Sequence, residues 1–284
     1  MTRILAVIDP RDTVHHALDR CKEQPPEADL DIMAAVFVEH DTAENFAKNY
    51  AAQSEWLREQ VTPYIAEGYK ITTEVVPFEK LYEAVIETAA KHQADFVVKP
   101  MRQHSLFETV VRTTTDWNLI RHCPYPLLLV SDQDSIRNKP VLAAIDVCSG
   151  DENHEALNTV VLESARRLSS VLDSPTYTVN SWRTPTQMMA VGSIDTTPYP
   201  SPENLRKEHE EALHKVTKEL TIAKNHLGEG SPTYVINQVA KEIAAGVIVL
   251  GTVARKGISG ALIGNTAEGV LESANCDVMV CKQP

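Results

Sequence analysis

The sequence predicts an α/β protein made of two consecutive copies of one doubly wound domain, each a five-stranded parallel sheet of Rossmann-like type. Three observations predict it. Short apolar segments recur in the same order in the two halves, helical patterns separate them, and a glycine-bearing loop follows the fourth apolar segment of the second half. A length of 284 residues suits two domains better than one.

The first strand is Arg3-Ile-Leu-Ala-Val-Ile-Asp9, and it reappears as Val141-Leu-Ala-Ala-Ile-Asp146. Ala94-Asp-Phe-Val-Val-Lys-Pro100 returns as Ala245-Gly-Val-Ile-Val-Leu-Gly251, and His122-Cys-Pro-Tyr-Pro-Leu-Leu-Leu-Val130 answers Ala274-Asn-Cys-Asp-Val-Met-Val-Cys281. Short apolar runs of this kind are buried on both faces of a parallel sheet. Leu157, Val161, Ala165, Leu168 and Leu172 recur at helical spacing, which predicts a helix over 152–172. A charged helix over 202–220 has Ser201 as N-cap and Pro202 in its first turn; 43–66 is its counterpart, and 81–93 and 233–244 form a shorter pair. The third strand of the second copy, near 222–227, carries the weakest pattern. Each half therefore reads β-α-β-α-β-α-β-α-β, with domains at 1–133 and 139–284 and a polar linker over 131–139.

The offsets locate an insertion. Asp9 to Asp146 is 137 residues, whereas Pro100 to Gly251 and Pro126 to Asp277 are both 151, so 14 more residues lie between the first and fourth strands of the second copy. The proline-bearing stretch 183–201 is the place the sequence suggests, as a long loop over the carboxyl edge of the sheet.

Composition excludes several classes. A formal net charge of -12 and the lack of a Lys/Arg run argue against a nucleic-acid surface. Five cysteines, none in a zinc-type spacing, read as reduced core thiols. The first strand begins at once, leaving no room for a signal peptide, and no apolar stretch is long enough for a membrane span, so the expectation is a cytoplasmic protein.

Ligands of open parallel sheets bind outside the carboxyl ends of the strands, where the strand order reverses. There the second copy carries Gly251-Thr-Val-Ala254-Arg-Lys-Gly257-Ile-Ser-Gly260-Ala-Leu-Ile-Gly264-Asn265-Thr266-Ala-Glu268. Glycines allow backbone N–H groups to converge on an anion, and the N-terminus of the following helix favours negative charge. Asn265 and Glu268 have the spacing of a capping box that would start this helix. The loop resembles that of the universal stress proteins of the ATP-binding class, with Gly-x-x-Gly, nine residues, then Gly followed by Ser or Thr. Gly251 and Gly264 fit, whereas Ala254 and Asn265 stand where glycine and Ser/Thr belong. Gln103-His104 and Thr115-Asp116-Trp117 in the first copy agree, so the resemblance spans essentially the whole chain.

The resemblance implies two halves that pair as two subunits would, about a pseudo-two-fold axis, through their last strands near 127–130 and 278–281. Pairing within one chain leaves monomer and homodimer both open. It also implies a small-molecule site for ATP or another adenine nucleotide, with Mg²⁺. Asp146 and the backbone near Ser181 and Trp182 would meet adenine and ribose, and Gly251, Thr252, Arg255, Gly264, Asn265 and Thr266 would lie under the phosphates. Ala254 opposes close backbone approach, since a methyl group disfavours positive φ. The other reading is a glycine turn that only lets the helix pack on the sheet. The equivalent loop of the first copy, from Pro100 to Thr115, has no glycine and begins with a residue lacking an N–H, so this half cannot cradle phosphate in the same way. Met101, Leu106, Phe107, Val110 and Val111 suggest a packed loop or a groove for an apolar or lipid-like metabolite.

Nothing in the chain resembles a Ser/His/Asp set, paired catalytic acids or a Walker loop, so a non-catalytic stress-response protein is expected, with a slow ATPase as the alternative. Asp12, His15 and His16 read as a solvated helix start rather than a metal site, His122-Cys123 as structural, and Met188-Met189 as a loop anchor.

Overall fold

The computed structural model describes residues 1–39, 43–101, 114–133, 135–150, 152–184, 187, 200–252 and 264–283. The chain divides into two compact units, Met1–Ile136 and Arg137–Gln283.

The first unit runs β1 (Thr2–Ile8), α1 (His16–Cys21), β2 (Leu30–Glu39), α2 (Ala43–Ala66), β3 (Ile71–Phe78), α3 (Leu81–Lys91), β4 (Phe96–Pro100), α4 (Thr114–His122) and β5 (Leu127–Val130). Its strands are parallel and ordered β3-β2-β1-β4-β5. The second unit repeats this with β6 (Val141–Ala144), α5 (Glu152–Leu172), β7 (Thr176–Trp182), α6 (Pro202–Thr217), β8 (Lys224–Glu229), α7 (Pro232–Glu242), β9 (Val247–Gly251), α8 (Asn265–Ser273) and β10 (Asp277–Cys281). Its order is β8-β7-β6-β9-β10. The central strands are almost wholly buried, as apolar runs covered on both faces must be: Ile4, Leu5, Ala6, Val97 and Val98 in one unit, Leu142, Ala143, Ile248 and Val249 in the other.

The duplication extends to backbone detail. Gln93 and Ala244, 151 residues apart, are both left-handed at φ 52° and 51°. In both units the following N–H closes the helix, Ala94 onto Ala89 O at 2.9 Å and Ala245 onto Ala240 O at 2.8 Å. Met101 N–H to Val130 O and Thr252 N–H to Cys281 O are likewise the same bond in two places.

Strand registers divide the insertion differently from the sequence expectation. Ile4 pairs with Ile32, 28 residues on, whereas its equivalent Val141 pairs with Thr176, 35 on. Half of the extra length therefore lies between the first and second strands, where the six-residue α1 is answered by the 21-residue α5. The remainder enters before the third strand, in the segment that includes 183–201. Of that loop, 185, 186 and 188–199 lie outside the described residues, Met188 and Met189 among them.

Helix starts follow local chemistry. Ser201 and Ser231 each precede a proline, and each side chain accepts from the N–H three residues on, at 3.3 and 3.4 Å. The third strand of the second unit is shifted to 224–229, because its inward residue is His226 rather than an aliphatic one. His15 is not solvated: it is 7% exposed, hydrogen-bonds Gln60 at 3.1 Å and meets the Trp56 ring edge-on. The segment after β5 is anchored rather than slack. Buried Arg20 and Glu23 form a 3.0 Å ion pair, Glu23 accepts from Ile136 N–H at 2.8 Å, and Arg20 donates to Gln133 O at 3.0 Å.

Candidate functional site

The strand order of the second unit reverses between β6 and β9, and the region outside their carboxyl ends is where ligands of open parallel sheets bind. Asp146 follows β6 and keeps its carboxylate in solvent, with the side chain 55% exposed. Its main chain is fixed by Asn158 of α5, whose Oδ1 accepts from Asp146 N–H at 3.0 Å and whose Nδ2 donates to Asp146 O at 2.6 Å. The buried amide thus acts as a missing strand neighbour and sets the direction of the chain as it leaves the sheet. His154 Nδ1 stands 3.4 Å from Asp146 Oδ2.

Beside it, a buried chain of polar groups reaches α6. Asn180 of β7 donates through Nδ2 to Ile145 O at 2.9 Å, which turns its Oδ1 toward His209 Nδ1 at 2.8 Å. His209 Nδ1 therefore carries the proton and Nε2 is left as an acceptor. Burial holds the His209 pKa below the ordinary histidine value, against the opposing pull of Asp146 and Glu208. Cys148 shares this neighbourhood: burial, with Glu208 and Asp146, pushes its thiol up to about 11, so it stays protonated.

The β9 side supplies donors. Gly264 is the N-cap of α8, and among the described residues nothing lies within 4 Å of where a side chain on it would stand. Asn265 and Thr266 are the first two residues of the helix, so their N–H groups have no partner in the preceding turn. The expected capping box is not formed: Gly264 rather than Asn265 is the cap, and Glu268 N–H bonds Gly264 O at 3.1 Å. Thr252 is 6% exposed, and its Oγ1 is buried without a hydrogen-bond partner among the described residues.

The missing side chain of Gly251 serves packing. A Cβ there would stand 2.4 Å from the Leu157 side chain, so the missing side chain is filled by α5. Trp182 is buried, and its carbonyl accepts Gly230 N–H at 2.9 Å. Asp146 thus follows β6, Thr252 follows β9, and Gly264, Asn265 and Thr266 start α8, while Ala254 and Arg255 lie outside the described residues. Sequence reasoning missed Asn158, His209 and Arg183. Asn158 interrupts the apolar stripe of α5 beside Leu157, and a polar residue buried in such a stripe was the available signal. Arg183 follows β7 directly, and its guanidinium has no ion pair among the described residues.

The corresponding crevice of the first unit is built otherwise. It holds a cavity of about 370 Å³, walled by Phe37, Phe78, Leu81 and Val7. At its base Lys99 Nζ lies 2.7 Å from Asp116 Oδ1 and donates to Pro100 O at 3.1 Å, with side chains 9% and 0% exposed. The offset of 151 residues puts Leu250 and Ala267, both buried, at the same places in the second unit. Met101 is buried, as an apolar loop start requires, whereas Gln103, His104, Leu106, Phe107, Val110 and Val111 lie outside the described residues. Among the described residues no three His, Cys, Asp or Glu side chains are grouped to hold a metal ion, and no helix is long and apolar enough to cross a membrane.

Comparison with known proteins agrees with this architecture. The family model described as "Universal stress protein family" matches residues 1–131 and again 137–282. Universal stress protein E of Escherichia coli K12 is 33% identical over 230 residues, covering 80% of this chain and 73% of that protein. The Haemophilus influenzae homologue is 28% identical over 300 residues, with 98% and 96% covered. A solved structure of a functionally unknown protein from Pseudomonas aeruginosa PAO1 superposes with a TM-score of 0.77 at 25% identity, over 99% of this chain and 92% of that one. A universal stress protein from Archaeoglobus fulgidus shares the fold at a TM-score of 0.70 and 15% identity, covering 99% and 98%. With both halves matched and the sheet order repeated in each, this chain belongs to the universal stress protein family.

Proposed function

We propose that the protein is a non-catalytic stress-response protein whose second unit binds an adenine nucleotide at the carboxyl edge of β6, β7 and β9. The observation that carries this reading is the Thr252 hydroxyl at the end of β9, buried with no partner among the described residues. An unsatisfied buried hydroxyl costs about 1–3 kcal/mol, and a ligand oxygen would remove that penalty. The first N–H groups of α8, which starts after Gly264, support an anionic portion of the ligand. Asp146 and the Nε2 lone pair of His209 offer acceptors for the amino and hydroxyl groups of a nucleoside. Mg²⁺ would enter with the phosphates, as their counter-charge. Leu157 filling the space at Gly251 favours a second reading, in which the glycine serves helix packing alone.

Calorimetric titration of the full chain with ATP and Mg²⁺ separates the two. Saturable binding that is lost in Asp146→Ala and weakened in Thr252→Val supports the nucleotide site, and a phosphate-release assay on the same samples tells a sensor from an ATPase. Binding by Ala254→Gly alone would mean that one methyl group closes the native site to ATP. No binding by either form leaves the packing role of Gly251 as the sole one.

A further inference from the structure

The duplication lets each unit serve as the reference for the other. Counting along the strand registers, Ile32 and Thr176 are equivalent, so Phe37 corresponds to Ser181 and Glu39 to Arg183. Glu39 pairs with Phe78 across β2 and β3, and Trp182 with Glu229 across β7 and β8, so the residue equivalent to Phe78 is Gly230. At the same three points of the crevice the second unit carries Ser, Arg and Gly, while the first carries Phe, Glu and Phe. A serine and a glycine are replaced by aromatic walls, and the charge has changed sign. Pro100 in place of Gly251 removes an N–H as well.

The rest of the first cavity points the same way. Arg11 is committed to Asp9 by two 3.0 Å bonds, from Nε to Oδ1 and from Nη2 to Oδ2. Lys99 is committed to Asp116 and to Pro100 O. Asp12 and Glu39 also line the cavity, and neither carboxylate has an ion-pair partner among the described residues. The cavity therefore offers paired cations, two unpaired carboxylates and an apolar interior. Aromatic walls stabilise a nearby organic cation further.

We propose that the first-unit cavity binds an organic monocation with an apolar body, an alkyl- or arylammonium compound. Its hydrocarbon lies between Phe37, Phe78 and Leu81, and its ammonium group faces Glu39 and Asp12. The assignment is independent of the ligand of the second unit, since it rests on residues of the first alone. At 370 Å³ the cavity falls at the small end of ligand pockets, so the ligand is a small one.

The test uses three eight-carbon probes that differ in the head group: octylammonium, 1-octanol and octanoate, each titrated calorimetrically into the full chain at pH 7.5. One saturable octylammonium site is expected, with octanol and octanoate at least tenfold weaker. Leu81→Trp, which fills the cavity, should abolish that site. Glu39→Gln should reduce the preference for octylammonium over octanoate, and Glu39→Arg, which restores the charge found at residue 183, should reverse it. Glu39 is exposed, so both variants should keep the fold, which circular dichroism checks. Equal affinity for octanoate or octanol, a preference unchanged in Glu39→Arg, retention of the site in Leu81→Trp, or no binding by any probe would overturn the proposal.

Discussion

The Lys99–Asp116 pair permits a prediction whose control is built into the same chain. Both side chains are nearly inaccessible, at 9% and 0%. Removing one partner leaves a buried charge uncompensated, which costs about 3–5 kcal/mol, whereas exchanging a whole buried pair for packed apolar side chains is often neutral or better. The second unit shows the apolar solution on the same backbone, as Leu250 and Ala267. Lys99→Leu and Asp116→Ala should therefore each destabilise the first unit by about 3–5 kcal/mol, and the double variant should lie within about 1 kcal/mol of the parent, a coupling of about 5–10 kcal/mol. The assay is urea unfolding followed by tryptophan fluorescence in a Trp182→Phe background, where only Trp56 and Trp117 of the first unit report. With a slope of about 2 kcal/mol per molar urea, each single variant should lower the midpoint by about 2 M. The reasoning is refuted if the double variant loses the sum of the single losses, or if either single variant costs less than about 1 kcal/mol.

Other consequences are open to the same treatment. Gly251→Ala sets a methyl group 2.4 Å from Leu157 and should cost the second unit about 1–3 kcal/mol; Leu157→Ala should restore part of that in the double variant, measured by urea unfolding. Gly264→Asp adds a capping side chain where there is open space, so it should raise stability by a few tenths of a kcal/mol, yet weaken calorimetric ATP binding at least tenfold by placing a carboxylate at the helix start. His209 and His226 are both held below the ordinary histidine value by burial, with Lys224 adding to the effect at His226. The unfolded chain then takes up protons that the folded chain resists, so the second unit should lose stability as pH falls below about 6.5. Urea midpoints read through Trp182, in a Trp56→Phe/Trp117→Phe background, should fall between pH 7 and 5, and less steeply in His226→Leu; a flat or rising profile would contradict the assignment.

The fold was legible because its signals are local and repeated. The apolar runs at 4–8, 97–98, 127–130 and their partners could only be strands, and α5 shows its stripe from Leu157 to Leu172 within a helix of the expected bounds. β8 was hard to place because its buried residue is His226, and alternation is blurred when the inward position is polar. The site was half legible. Asp146, Thr252 and the α8 start lie on element ends, whose positions follow from periodicity. Asn158 and His209 act through contacts between residues 12 and 29 positions apart, from Asp146 and Asn180, which no pattern along the chain encodes. The sequence could not separate the two readings of Gly251, because a glycine that admits a neighbouring leucine and one that admits a phosphate look alike in sequence.

Within their own units β3 and β8 are edge strands, pairing with β2 and β7 respectively. Each therefore presents a row of unpaired peptide groups to which another chain could add, the usual beginning of ordered aggregation. Pro77 breaks that row in β3, since it has no N–H to offer, and the charged or polar Lys224, Asn225 and Glu229 make β8 a poor template. Strands exposed by other, unfolded chains therefore find little to pair with at either of these edges.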